Sequence, residues 1–248
     1  MTPVRNWFRA WWLLMRWNAA SSKMILPLSL VVQIMLAVGI VIGFGFLAPV
    51  DDPATALRLS TGAPTIQLLT TGLVLVPQAV VAMKQEGSYD WFRTLPAPRS
   101  AFLAADLTIW TLISLPGIIL AVVVAAWRFD LDLQLSFWSP IAAIAVAAIA
   151  ATIGYGMATA LPPRVAQLLT QMLVFVILLF SPITFPSAAL PDWFAAVHRV
   201  LPMEPMSDMI RTSLAPDAFS IAPAQIVVVL AWGAVAAIAT LTMMSRRS

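Results

Sequence analysis

The chain has 248 residues, 61% of them hydrophobic and only 10% charged, with a formal net charge of +3. Soluble domains carry about 25% charged residues, so a water-soluble globular fold is excluded and a polytopic membrane protein is indicated. Cysteine is absent, which excludes disulfide staples, thiolate metal sites and cysteine nucleophiles together.

Residues 1–23 form a distinct element. At 100° per residue Arg5, Arg9, Arg16 and Lys23 fall within about 40° of one another. Trp7, Phe8, Trp11, Leu14, Met15 and Trp17 cover the remaining arc, and Trp12 intrudes on the basic face. Basic residues on one side and aromatics on the other describe a helix lying in the membrane interface. It serves either as a topology anchor or as a surface that also meets a soluble partner. No cleavable signal peptide is expected, because the first apolar run starts after Lys23, is too long for a signal core and lacks a small-residue cleavage pattern after it.

A spanning helix needs about 20 apolar residues, and six runs qualify: 24–47, 64–83, 101–127, 139–161, 165–185 and 223–244. The predicted fold class is therefore all-α integral membrane, with residues 24–248 as a six-helix transmembrane domain. Six spans put both termini on one side. That side holds Arg5, Arg9, Arg16, Lys23, Lys84, Arg93, Arg99, Arg164, Arg246 and Arg247, and the other only Arg58, Arg128, Arg199 and Arg211. The poorer side also holds Asp51, Asp52, Asp130, Asp132, Asp192, Glu204, Asp208 and Asp217. This asymmetry predicts cytoplasmic termini by the positive-inside rule.

Two connecting segments are more than links. Between the second and third spans, Glu86-Gly87 breaks the helix, Asp90-Trp91-Phe92-Arg93 suits about one helical turn, and Leu95-Pro96-Ala97-Pro98 stops it. Trp91 and Phe92 among Lys84, Glu86, Asp90 and Arg93 suit a protein contact or the headgroup belt. Between the fifth and sixth spans, residues 186–222 are cut by prolines into helix-like pieces at 191–201 and 205–214. Trp193, Phe194, Val197, Val200 and Leu201 make the apolar side of the first piece. Such pieces can dip into the outer leaflet and return where protein buries their backbone ends.

Several chemistries are missing. None of the ten glycines precedes a lysine, so the usual phosphate loop is absent. His198 is the only histidine, placed outside the bundle as an interfacial residue, and there is no nucleophile-elbow serine motif. Asp106 is the one ionisable side chain well inside a span. Intramembrane carboxylates are often functional. With Arg99 and Arg93 near in sequence, a structural or gating ion pair is favoured over a proton relay. Uncharged polar residues recur at Gln33, at Gln67, Thr70, Thr71 and Gln78, and at Gln167, Thr170 and Gln171. Gln167 and Gln171 share a helix face, and such residues line a path or tie helices together. Gly39 and Gly43 make a GxxxG face for close helix packing, and Pro77 and Pro116 are expected to kink the second and third spans.

Taken together, the interfacial first helix, the six spans, the segment E-G-S-Y-D-W-F-R-T-L-P, and S-P-I-T-F-P (181–186), L-P-D-W (190–193), L-P (201–202) and Arg211 resemble the membrane subunit of an ABC-2 type exporter. Met203-Glu204-Pro205-Met206 stands where that family usually has a glycine- or tyrosine-rich stretch, which leaves the substrate subclass open. The resemblance implies two permeases, as a homodimer or a pair of homologues, working with two separate cytoplasmic ATPase subunits. ATP and Mg then belong to those subunits, and no cofactor to this chain. It implies that residues 84–98 act as a coupling helix, with Glu86, Gly87, Tyr89, Asp90, Trp91, Phe92 and Arg93 contacting the ATPase beside Arg5, Arg9 and Arg16. It also implies a path along the first, second and fifth spans, where Gln33, Gln67, Thr71, Gln167 and Gln171 lie. The uncharged path favours a small amphipathic substrate (drug, antibiotic or lipid) over a bare ion, with polysaccharide also open. A bacterial inner membrane is the expected location, with the lipid bilayer as a partner and no nucleic acid. A proton-coupled secondary transporter using Asp106, an intramembrane enzyme and a non-transporting anchor are the competing readings.

Overall fold

A computed structural model describes residues 3–21, 25–47, 52–131 and 136–245. Lys23, Asp51, Asp132, Arg246, Arg247 and the side chain of Arg93 lie outside the described part. Among the described residues every regular element is helical: α1 (Pro3–Ser21), α2 (Ile25–Leu47), α3 (Pro53–Thr70), a π segment (Thr71–Leu75), α4 (Val76–Gln85), α5 (Ser88–Thr94), α6 (Arg99–Phe129), α7 (Ser139–Ala160), α8 (Pro163–Phe175) with a second π segment (Val176–Phe180), α9 (Asp192–Val200), α10 (Met203–Leu214) and α11 (Pro223–Ser245). Six helical stretches are long and apolar enough to cross a membrane: Pro27–Phe46, Pro53–Gln85, Arg99–Phe129, Ser139–Ala160, Pro163–Phe180 and Pro223–Met244. The chain is a multi-pass membrane protein.

The second span differs most from expectation. It begins at Pro53 rather than near residue 64, and Pro64 lies within it. The Asp52 carboxylate accepts from the amides of Ala54 and Thr55 and from the Thr55 hydroxyl at 2.7 Å, which caps the helix start. These bonds hold the Asp52 pKa below its ordinary value, the Thr55 hydroxyl contributing most. The fifth span stops at Phe180, where Ser181 turns extended ahead of Pro182. The third runs through Pro116 without interruption, whereas a π segment ends just before Pro77 in the second.

In lipid the packing of helices rests on close approach rather than on apolarity, and α7 is built for it. Most of its buried residues are small, Ala142, Ala143, Ala147, Ala150, Ala151, Gly154, Gly156 and Ala158 among them, with Val146, Thr152 and Tyr155 between. A methyl group added at Gly72 would lie 2.5 Å from the Ala150 Cβ, and one at Gly154 would run into the Gly72 carbonyl. Gly72 lies in the π segment, so the two backbones come together at that turn. The second and fourth spans are accordingly the interior ones, with 67% and 61% of their apolar windows buried against 17% in the fifth and sixth. One core cluster joins Val41, Ile66, Leu69, Val146 and Ile183 to Met206 of α10. The other joins Leu14 of α1 to Val80, Tyr89, Phe102 and Tyr155.

The short helices α9 and α10 close one end of the bundle. Arg211, 2% exposed, donates to the Ile183 carbonyl and to Asp208 Oδ1 at 2.6 Å, while Gln225 Nε2 of α11 donates to Asp208 Oδ2 at 2.5 Å. Arg58 and Arg211 both stack on the Phe219 ring, at 5.5 and 5.4 Å from its centroid. Burial pulls the Arg211 pKa down to about 10, against the opposing effect of Asp208. On α9 the buried residues are Ala195 and His198, while Trp193, Val197 and Val200 are exposed. The apolar side identified from the sequence therefore faces outward, and His198 sits inside, its ring edge-on to Phe194 with centroids 4.7 Å apart.

Candidate functional site

At the opposite end, α5 forms a separate short helix between the second and third spans. Gly87 enables it, because its φ of +76° ends α4 and starts α5 in a region that side-chain-bearing residues rarely adopt. The α5 side chains divide between two tasks. Tyr89 is buried against the inner core cluster, and Phe92 packs on Phe102 of α6 with ring centroids 4.9 Å apart. Trp91 is 48% exposed and lies against Trp17 of α1, centroids 5.8 Å apart. Glu86, Gly87 and Asp90 are exposed on the same corner.

Lys84 fastens this corner to the fourth span. Its ammonium donates to the carbonyls of Ala158, Thr159 and Leu161 at 2.6, 3.1 and 3.4 Å, and lies 5.6 Å from the Tyr89 ring centroid. These are the carbonyls that a helix C-terminus leaves without intrahelical partners, where a cation is also favoured by the helix dipole. From the sequence, Lys84 belongs to the basic side and to the charges around Trp91 and Phe92. The partner lies 74 positions away, so no local signal could have named it.

Helix α1 lies along α6. Trp7 Nε1 donates to Ser100 Oγ at 2.9 Å, Trp11 Nε1 to Thr108 Oγ1 at 3.3 Å, and Asn18 Nδ2 to Asp106 Oδ1 at 3.5 Å. Leu14 is buried between these contacts, and Arg5, Arg9 and Arg16 are exposed on the other side. The aromatic arc thus divides: Trp7 and Trp11 meet α6 and Trp17 meets Trp91, while Phe8 and Trp12 remain exposed. Arg99 donates to the Phe92 carbonyl at 3.5 Å. It stands two helical turns, about 10.5 Å along the axis, from Asp106, a residue only 7% exposed.

The polar residues of the first and second spans gather into one buried cluster. Gln33 Nε2 donates to Thr71 Oγ1 at 2.7 Å, Gln67 Nε2 donates to the Gln33 backbone carbonyl at 3.0 Å and to its side-chain oxygen, and Thr71 Oγ1 donates to the Gln67 carbonyl at 2.9 Å. Gly117 of α6 makes room, since a methyl group there would lie 2.6 Å from Gln67 Nε2. Gln167 and Gln171 are exposed on α8, between Leu168, Met172 and Phe175, which are exposed as well. The five glutamine and threonine positions therefore fall into a sealed group and an open one. Gly39 and Gly43 meet no atom within 4 Å of an added methyl group, so their face takes no part in packing within the chain.

Among the described residues no group of three or more His, Asp or Glu side chains is placed to hold a metal ion. The arrangement connects a surface corner mechanically to the second, third and fourth spans. No curated protein matches the chain. The family model described as ABC-2 type transporter matches residues 8–215, from within α1 to the end of α10. With that match covering most of its length and six helices able to cross a membrane, the chain belongs to the ABC-2 type transporter family, as a permease component rather than a catalytic one.

Proposed function

We propose that the chain is the membrane-spanning permease of an ATP-driven exporter, working as a pair with two separate ATPase subunits that bind ATP and Mg. The observation that carries this reading is the α5 corner. It exposes Glu86, Asp90 and Trp91 while Lys84, Tyr89 and Phe92 tie it to α7 and α6. A push on α5 is thereby delivered to three spans at once. Gly87 and Arg93 complete the contact surface, with Arg5, Arg9 and Arg16 beside it on α1. Both termini are cytoplasmic in this reading, and the membrane is the bacterial inner membrane.

The path lies between the two permeases. Gln167 and Gln171 line it from α8, whose face is open in the single chain. Gln33, Gln67 and Thr71 join the lining when α2 moves away from α3 and their mutual hydrogen bonds are exchanged for substrate. An uncharged lining of this kind suits an amphipathic drug, antibiotic or lipid.

Affinity purification of the tagged chain in mild detergent, with identification of co-purifying proteins and an ATP hydrolysis assay, tests the proposal. A stoichiometric ATPase subunit that is lost on Glu86→Ala with Trp91→Ala is the expected result. Recovery of the chain alone, without ATPase activity, would overturn it. The buried Asp106 favours one second reading, proton-coupled transport. That reading requires Asp106→Asn to abolish transport, and continued transport by the variant removes it.

A further inference from the structure

Beneath α5 lies a cavity of about 440 Å³ bounded by five helices: Trp17 and Asn18 of α1, Ser29 of α2, Met83 of α4 with Glu86 at its end, Trp91 and Phe92 of α5, and Asp106 and Trp110 of α6. Its volume falls within the range of small-molecule sites. Asp106, Ile109, Trp110 and Ile113 share one face of α6 by their 3- and 4-residue spacing, so a single helix supplies both an acid and an aromatic wall. Among the described residues the lining includes two carboxylates, at Asp106 and Glu86, and no basic side chain. Four aromatic rings complete it, with Trp17 and Trp91 stacked at a tilt of 34°.

Asp106 is placed for a cation. It is more than nine-tenths buried, and its bond from Asn18 is long at 3.5 Å. A carboxylate in a dry site gains most from a charge-assisted partner. Arg99, two turns away, donates to the Phe92 carbonyl. Aromatic faces around an acid are the surroundings that hold ammonium-type cations, through attraction to the ring quadrupoles. Asp106 lies about 10.5 Å along α6 from its start at Arg99, and the apolar Ile109 and Ile113 line the cavity beyond it.

We propose that this cavity binds an organic cation carrying an apolar body, with Asp106 as the anionic anchor and Trp17, Trp91 and Trp110 as the surrounding aromatic walls. The inference concerns binding and stands apart from whether the occupant is cargo. Two sources offer this chemistry: a freely diffusing lipophilic cation and the ammonium head of a membrane lipid.

The test uses the purified full chain in an uncharged detergent and measures equilibrium binding of tetraphenylphosphonium, with tetraphenylborate as the anion of matching size and shape. Saturable binding of the cation at about one per chain, with none for the anion, is expected. Asp106→Asn is expected to weaken cation binding at least tenfold, and Asp106→Glu to retain most of it. Absence of saturable cation binding, or equal binding of cation and anion, overturns the proposal without recourse to any variant. Unchanged affinity in a monodisperse, helical Asp106→Asn protein overturns it too. Competition then separates the sources. Displacement by phosphatidylethanolamine but not phosphatidylglycerol supports the site with a lipid head as occupant, and displacement by neither supports it with a free cation.

Discussion

The Lys84 ammonium stands 2.6 Å from the Ala158 carbonyl, so a residue in the last turn of the second span also caps the end of the fourth. Replacing Lys84 with Met leaves three carbonyls at the end of α7 without this donor. The expected loss is about 1–2 kcal/mol, in the range for hydrogen bonds to a charged group, reduced because the site is half-buried. Lys84→Arg should recover part of it. Thermal unfolding in detergent measures the loss. In a complex with its ATPase, the same variant should lower transport per ATP hydrolysed more than it lowers hydrolysis.

The Gln33–Thr71 bond offers a direct measure of how firmly the first and second spans are joined. Gln33→Leu, Thr71→Val and the double variant form a cycle whose coupling energy is expected at about 0.5–1.5 kcal/mol, the range for interhelical hydrogen bonds in membranes. A coupling indistinguishable from zero would mean that these side chains do not hold α2 to α3.

Two glycine substitutions should behave in opposite ways. Gly72→Ala drives a methyl group to within 2.6 Å of the Ala150 carbonyl carbon, a backbone atom that cannot swing aside, and should cost about 1–3 kcal/mol or more. Gly39→Ala meets nothing within 4 Å and gains helix propensity of up to about 1 kcal/mol. Unfolding of each variant by denaturant in mixed micelles checks the contrast, and comparable destabilisation by both would contradict the close approach at Gly72.

His198 predicts an acid-sensitive end of the bundle. Burial pulls its pKa below the ordinary imidazole value, with Glu204 acting in the opposite direction. The unfolded chain then takes up the proton first as the pH falls below about 6.5. The stability associated with neutral His198 is therefore full above that pH and is lost on descending through the lowered value. The Tm of the wild-type chain should decline from pH 7 to pH 5, each kcal/mol lost lowering it by about 2–4 °C. His198→Leu should flatten that decline, and an equally steep decline in the variant would exclude the histidine as its source.

The six spans and the α5 turn were legible because apolar runs, Gly87 and the flanking prolines mark them locally. The first third of the second span was not. Arg58, Ser60 and Thr61 depress its hydropathy, yet the Ser60 and Thr61 hydroxyls each donate to a carbonyl four residues back, both at 2.8 Å. A helix can bury such side chains because it supplies their acceptors itself. Gln33, Gln67 and Thr71 were identifiable as unusual residues, but their mutual bonding depends on the register between α2 and α3, which has no local signature. The interior position of His198 likewise follows from how α9 folds back over the bundle.

The uninterrupted course of the second span has a mechanical consequence. Thirty-three residues at 1.5 Å each make a rod about 50 Å long, well beyond the roughly 30 Å hydrocarbon layer. Its base is the Lys84 corner, and about 14 Å in from Pro53 at the other end Gly62 abuts the Ile183 carbonyl, the same oxygen that Arg211 holds. The π turn at Thr71–Leu75 divides the rod into arms of about 27 and 15 Å. A lever pivoted there amplifies displacement: a tilt of the shorter arm that shifts its base by about 3 Å, carried rigidly through the pivot, moves the longer arm's tip by about 5 Å. The position of Thr71–Leu75 therefore sets the gear ratio between the two ends of the rod, and stiffness at Gly72 and Pro77 sets how much of the tilt is passed on.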